Sequence, residues 1–379
     1  METAFILLCV VVTLALIFDF VNGFHDAANT ISTIVVTRTM SPLSAVVMAG
    51  VANFAGFWFG TAVAKTVGKG IIHIDKLKDF AILHNSDTLM IQVLLGALCG
   101  AVLWNILTWL LGIPTSSSHA LIGGLMGSAI AAFHGVGVVN WGNKGIGDLW
   151  SILSTGNFKD LNSAFGVKTI FAFIVIAPLV GFLTSAFFTG VTMWICRKMD
   201  PRKADKGFKF LQVVSSIFAS IAHGTNDAQK TMGVIAMAMI AGGAYAVSDP
   251  TTILTMDNVL DVHPWIAIAC YGAISLGTMS GGWRIVKTMG TQITKIRPMQ
   301  GFTSSISGAA AISACSALGI PVSTTHVIAG SIMGVGAVQG SSNVRWVTAR
   351  RIVWAWFLTI PATAAMAAVS YLAISKILG

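Results

Sequence analysis

Residues 22–31 read NGFHDAANTI, and residues 223–232 read HGTNDAQKTM. Both carry Gly-x-x-Asp-Ala with a Thr three positions after the Ala: Gly23, Asp26, Ala27 and Thr30, then Gly224, Asp227, Ala228 and Thr231. A second pair follows. GIPTSSSHALIGGLMG (112–127) answers GIPVSTTHVIAGSIMG (319–334). The two pairs are offset by 201 and 207 residues, so the spacing is nearly kept while the segments between them diverge. Two polar motifs, each present twice in an otherwise apolar chain, are the sequence form of a membrane protein built from two repeats around one shared site.

Working outward from the motifs, the composition agrees. The 379 residues are 55% hydrophobic and 10% charged, with mean hydropathy +0.80. A soluble globular chain carries about 25% charged residues, so much of this surface faces something other than water. Apolar runs near 3–20, 42–64, 88–110, 166–196, 262–280 and 351–375 approach the length of about 20 residues that spans a bilayer core. The first run has Glu2, no preceding Lys or Arg, and no small-residue cleavage site before NGFHDAAN, so it is expected to stay in the mature protein. Cys9, Cys99, Cys196, Cys270 and Cys315 are scattered through apolar segments without disulfide or metal spacing, and read as small apolar side chains.

The net charge of +9 is concentrated. Residues 197–209 (RKMDPRKADKGFK) carry six Lys or Arg against Asp200 and Asp205, which makes a basic loop expected on the cytoplasmic side of an inner (plasma) membrane. The run lacks interleaved aromatics, so no nucleic-acid partner is expected. It divides the chain into an N-terminal membrane repeat (1–196), the loop (197–209) and a C-terminal repeat (210–379). Placing the second half's start in the cytoplasm, and the first half's start outside, makes the repeats inverted. The expected fold is an all-α polytopic membrane protein with broken or re-entrant helices at the paired motifs. Helix breaks are expected at Gly23 and Gly224, with a polar interruption at 22–29. Surface connections are expected near 65–87, 134–165, 248–261 and 281–300, and a tilt or kink in 166–196 at Pro178 or Gly181.

The motif residues suggest the chemistry. An ionised carboxylate inside a membrane is expensive, so Asp26 and Asp227 are expected to face a cavity and a cation. Asn22, Asn29 and Asn226 add the oxygen ligands that hard cations favour. His25, His119, His223 and His326 are candidate proton carriers, because histidine titrates near neutral pH. Lys230 stands where the first copy has Asn29, one turn from Asp227, and either neutralises that acid or attracts an anion. Ser116, Ser117, Ser118 and His119 match Ser323, Thr324, Thr325 and His326. Pro114 and Pro321 stand just before the hydroxyl runs, where proline fits a helix's first turn. The free amides of a helix start, together with hydroxyls, form an anion cradle. Carboxylates suit a cation and hydroxyl-rich helix starts suit an anion, so both together suit co-transport. No Ser-His-Asp arrangement follows from sequence adjacency, and an enzyme is not expected.

At these residues the chain resembles the inorganic phosphate transporter, or phosphate-permease, family. The resemblance rests on GFHDAANT (23–30), HGTNDAQKTMG (223–233), the paired GIPTSSSH and GIPVSTTH, and ISLGTMSGGWRIVKTMG (274–290). It implies phosphate uptake by secondary transport, two inverted repeats and a homodimer in the lipid bilayer. It also implies that Asp26, Asn29, Asp227, Ser116–Ser118 and Ser323–Thr325 form the substrate and ion region. The GFHDAAN form is more similar to proton-coupled bacterial members, including those that carry neutral metal–phosphate complexes, than to sodium-coupled ones. The expectation is therefore a proton-coupled phosphate symporter without a resident cofactor. The alternatives are sodium coupling, or another tetrahedral oxyanion such as sulfate or arsenate.

Overall fold

The computed structural model describes residues 2–83, 86, 88–142, 166–242, 254–256 and 258–378. These residues are almost wholly helical. The single β-bridge among them joins Ile72 to Val139.

The first half contains α1 (Glu2–Val36), α2 (Pro42–Ala55), α3 (Ala62–Gly70), α4 (Ile74–Leu83), α5 (Leu89–Leu110), α6 (Ser117–Phe133) and α7 (Val167–Cys196). The second contains α8 (Pro201–Gly242), a turn at Val259–Val262, and α9 (Trp265–Ser280). It continues with α10 (Trp283–Lys287) and its π-turn Thr288–Gln292, then α11 (Pro298–Ala317), α12 (Thr324–Val338) and α13 (Trp346–Leu378). Among the described residues, five segments are long and apolar enough to cross a membrane: Phe5–Val36, Pro42–Phe59, Leu89–Leu110, Val167–Cys196 and Trp346–Leu378. At 1.5 Å per residue, the 35-residue α1 is about 50 Å long, which exceeds a hydrocarbon core of about 30 Å.

Three expectations about the path of the chain are corrected. Helices α1 and α8 run without interruption through the Gly-x-x-Asp-Ala motifs. Gly23 and Gly224 are points of contact, not breaks. A Cβ on Gly23 would collide with the Ile274 carbonyl of α9, and one on Gly224 with the Asn53 carbonyl of α2. The helix stays intact because the polar side chains here find partners on neighbouring helices, so no backbone has to unwind to satisfy them. The interruptions lie at the other motif pair. Helix α5 stops at Leu110 and α6 starts at Ser117; α11 stops at Ala317 and α12 starts at Thr324. Gly112 and Gly319 turn these corners at φ +65° and +69°, which L side chains rarely adopt.

The basic stretch is a loop only as far as Asp200. Pro201 opens α8, and the Asp200 carboxylate accepts the Arg202 and Lys203 amides at 2.9 and 3.1 Å, as an N-cap does. The 281–300 segment is not simply a surface connection either. It forms α10 and the π-turn, with Ile285, Val286, Met289 and Ile293 buried. Most of the expected connections at 134–165 and 248–261 fall outside the described residues.

Packing exchanges helices between the halves. Helix α1 lies on α9, and α8 lies on α2. Helix α7 covers α11 and α12, while α13 covers α5 and α6. The exchange is close because small residues permit it. A Cβ on Gly127 would strike the Ala364 carbonyl of α13; one on its counterpart, Gly334, would strike the Phe182 carbonyl of α7. This weaving brings α1, α8 and the starts of α6 and α12 to one place.

Candidate functional site

All sixteen side chains singled out in the sequence are buried. Ser116 is the N-cap of α6, and its hydroxyl oxygen accepts the His119 amide at 3.1 Å. Ser323 caps α12 in the same way, accepting the His326 amide at 3.2 Å. These caps satisfy one amide at each helix start. The amides of Ser117, Ser118, Thr324 and Thr325 lie in the first turns, where a helix provides no carbonyl partner.

The next hydroxyls join the two halves. Ser117 Oγ donates to Asp26 Oδ1 at 3.3 Å, and Thr325 Oγ1 donates to Asp26 Oδ2 at 3.2 Å. Thr324 Oγ1 donates to Asp227 Oδ2 at 3.1 Å. Asn29 Nδ2 donates to Thr324 Oγ1 and Thr325 Oγ1 at 3.3 and 3.0 Å. The two acids therefore converge on the start of one helix. Asp26, His223 and Asp227 each bring a ligand atom within 4.8 Å of the others', a geometry suited to a cation. The histidines come from different motif positions. His25 Nδ1 meets Asp26 Oδ1 at 2.7 Å from the adjacent residue. His223 Nε2 meets Asp227 Oδ2 at 3.2 Å from one turn away.

Lys230 is the central cation. Its Nζ lies 2.6 Å from Asp227 Oδ1, and donates to Ser118 Oγ at 2.5 Å and to the Val322 carbonyl at 2.8 Å. It pairs with Asp227, the first of the two sequence readings, and it also touches the hydroxyl-rich start of α6.

The remaining candidates lie around this cluster. Asn226 Nδ2 donates to Ser316 Oγ of α11 at 2.8 Å. Asn22 Oδ1 is buried without a hydrogen-bond partner among the described residues. His119 and His326 pack against each other with ring centroids 4.7 Å apart, and His326 stacks on Trp356 at 4.1 Å. Neither ring contacts Asp26 or Asp227 among the described hydrogen bonds and ion pairs. They join the two half-helices where His25 and His223 join acids.

Sequence reading missed the supporting residues. Thr108 of α5 bonds His25 Nε2 at 3.1 Å and accepts the Thr115 hydroxyl at 3.0 Å. Asn53 Oδ1 meets His223 Nδ1 at 3.2 Å, and Asn53 Nδ2 donates to Thr278 Oγ1 at 2.7 Å. Thr108 and Asn53 sit inside apolar runs and belong to no repeated motif. Asp19 was missed too, although an acid within an apolar run was itself a signal. Beside the α5–α6 interruption lies a cavity of about 420 Å³, lined by Gly112, Pro114, Arg284, Lys287, Thr288 and Arg351 among others, with no acidic residue in its wall.

Comparison with known proteins identifies the family. The model of the phosphate transporter family matches residues 22–206 and again 197–367. The chain belongs to this family. A probable low-affinity inorganic phosphate transporter of Rhizobium meliloti (strain 1021) is 43% identical, over 98% of this chain and 97% of that one. One from Bacillus subtilis (strain 168) is 37% identical over the full length of both. Among solved structures, the chain is similar to one described as the sodium-dependent phosphate transporter: TM-score 0.72, 26% identity, 98% and 99% coverage. The family is one of integral membrane proteins and is non-enzymatic, as the sequence led us to expect.

Proposed function

We propose that this protein is a cation-coupled symporter of inorganic phosphate working by alternating access. The observation that carries the reading is the bridge of Asp26 and Asp227 to Thr325 and Thr324 at the start of α12, with Lys230 reaching Ser118 at the start of α6. Carboxylates and anion-binding helix starts occupy one buried volume, so a cation and an oxyanion bound together neutralise each other there.

In this reading the first-turn amides of α6 and α12, the hydroxyls of Ser117, Ser118, Thr324 and Thr325, and Lys230 receive the phosphate. Hydroxyls now donating to carboxylates turn to the anion when a cation takes their place at the acids. Ser116 and Ser323 hold the helix starts in shape. The coupling ion sits at Asp26, Asp227 and Asn29, with Asn22 and Asn226 flanking. A proton is our first assignment, because each acid has its own histidine, His25 or His223; the His119–His326 pair sits at the joint between halves. Sodium is the second reading, favoured by the name of the structural neighbour. The Asp26–His223–Asp227 triad also fits a divalent metal carried with phosphate as cargo. We further assign two inverted repeats, residues 197–209 to the cytoplasmic side of an inner membrane, and a homodimeric assembly.

The test is radiolabelled phosphate uptake into proteoliposomes with one imposed gradient at a time. Uptake under an inward proton gradient without sodium supports proton symport. A strict sodium requirement transfers the acids to sodium sites. No uptake under either gradient refutes the symport reading, and sulfate or arsenate competing as well as phosphate refutes phosphate selectivity.

A further inference from the structure

Helix α1 carries a third acid, Asp19, two turns before Asp26. Its side chain is 0% exposed, and neither carboxylate oxygen has a hydrogen-bond partner among the described residues. The other two acids differ sharply from it. Asp26 has His25, Ser117 and Thr325, and Asp227 has Lys230, His223 and Thr324. Beside Asp19 stand Asn22, one turn on, and Thr231 of α8, whose polar side chains face its carboxylate. Asn22 Oδ1 and Thr231 Oγ1 are themselves buried without a hydrogen-bond partner among the described residues.

The charged and titratable groups that face Asp19 are Asp227 and Lys230 of α8, and Cys270 and Tyr271 of α9. None of them supplies a free positive charge, because Lys230 is already bound to Asp227. A carboxylate in a low-dielectric interior is not stable as a bare anion and needs a positive charge at its oxygens. Nor is the acid part of the repeated scaffold. At the 201-residue offset its counterpart is Ser220, whose hydroxyl simply bonds the Ser216 carbonyl at 2.9 Å.

We propose that Asp19 is the seat of one coupling cation in each transport cycle, with Asn22 Oδ1 and Thr231 Oγ1 as its neutral oxygen partners. The shared chemistry is a single positive charge on the carboxylate, supplied by a proton or a sodium ion. The inference rests on the symport reading above and adds a site outside the central cluster. Loading Asp19 removes its charge, so the closed core can exchange sides. Unloaded, the same core would bury an unmatched anion. Asn at this position is neutral throughout and releases the carrier from that requirement.

The experiment uses the full chain in proteoliposomes: wild type, Asp19→Asn and Asp19→Glu. Reversal potentials of labelled phosphate flux give the number of cations moved per phosphate, once under a pH gradient alone and once under a sodium gradient alone. The responding gradient identifies the ion. Asp19→Asn is expected to move one fewer of that ion per phosphate while retaining phosphate–phosphate exchange; Asp19→Glu keeps the wild-type number. An unchanged number in Asp19→Asn overturns the proposal, as does loss of exchange in a folded, monodisperse Asp19→Asn protein. If Asp19→Asn does not fold, cation binding without phosphate is measured in Asp26→Asn/Asp227→Asn, by ²²Na⁺ and by proton uptake. One bound cation supports the site, and none overturns it. Absence of phosphate flux in the wild type would instead bring down the symport reading, so the two failures are distinguishable.

Discussion

Replacing Lys230 by Met tests the central cluster most directly. The side chain is 2% exposed, and its ammonium holds Asp227 at 2.6 Å, Ser118 Oγ at 2.5 Å and the Val322 carbonyl at 2.8 Å. Met keeps an unbranched apolar stem, one atom shorter, but removes the charge and all three donated bonds. Asp227 then retains His223 at 3.2 Å and Thr324 at 3.1 Å, but no permanent positive charge. Breaking a buried ion pair by removing one partner costs about 3–5 kcal/mol, most of it the uncompensated charge left behind. That origin makes a sharper claim than the loss itself. Removing the second charge as well, in Lys230→Met/Asp227→Asn, should recover a large part of the stability lost in Lys230→Met. The assay is reversible denaturant unfolding in detergent, with the two single variants and the double variant forming a thermodynamic cycle. A coupling energy of about 1.5–3 kcal/mol is expected. Additive losses would refute the view that Lys230 is chiefly the counter-ion of Asp227. Phosphate uptake should be lost in Lys230→Met and should not return in the double variant, because the contact to the start of α6 is absent from both.

Further outcomes follow from the same geometry. Asp26→Asn and Asp227→Asn should each reduce phosphate uptake about 10- to 100-fold, by loss of charge-assisted hydrogen bonds, while the proteins remain inserted and monodisperse; normal uptake in both would remove the acids from the mechanism. Gly23→Ala and Gly224→Ala should lower stability by about 1–3 kcal/mol through the collisions at Ile274 and Asn53. Gly190→Ala and Gly272→Ala, whose new methyls meet nothing within 4 Å, should be neutral or stabilising in the same unfolding assay. Lys287→Ala and Arg351→Ala remove positive charge from the cavity beside Gly112 and should raise KM for phosphate with little change in kcat, the effect fading at high ionic strength. Ser323→Ala should destabilise the start of α12 by about 0.5–2 kcal/mol, seen as a lower unfolding midpoint.

The motifs alone identified a helical membrane protein and most of the side chains that meet at the centre. Those features were legible because they are local or repeated. A bilayer imposes long apolar runs, a helix start shows itself as Gly-Ile-Pro followed by hydroxyls, and a polar motif written twice stands out against an apolar background. What the sequence could not decide was where the helices break. Gly23 and Gly224 look like interruptions along the chain, but tertiary contact turns them into flat faces against Ile274 and Asn53, and the helices run on. Nor could it reveal that α12 supplies hydroxyls to both acids, or that Lys230 crosses to Ser118, because those pairs are separated by about a hundred to three hundred residues and depend on how the halves interleave. Asp19 makes the same point in reverse. One acid in an apolar run looks incidental in the chain, and only the fold surrounds it so completely that its charge must be answered by something that moves. Residue type and local spacing determined which groups are present; the packing of α1 and α8 against the helix starts decided which of them share a dielectric interior, and there a partner's distance sets whether a charge is stable.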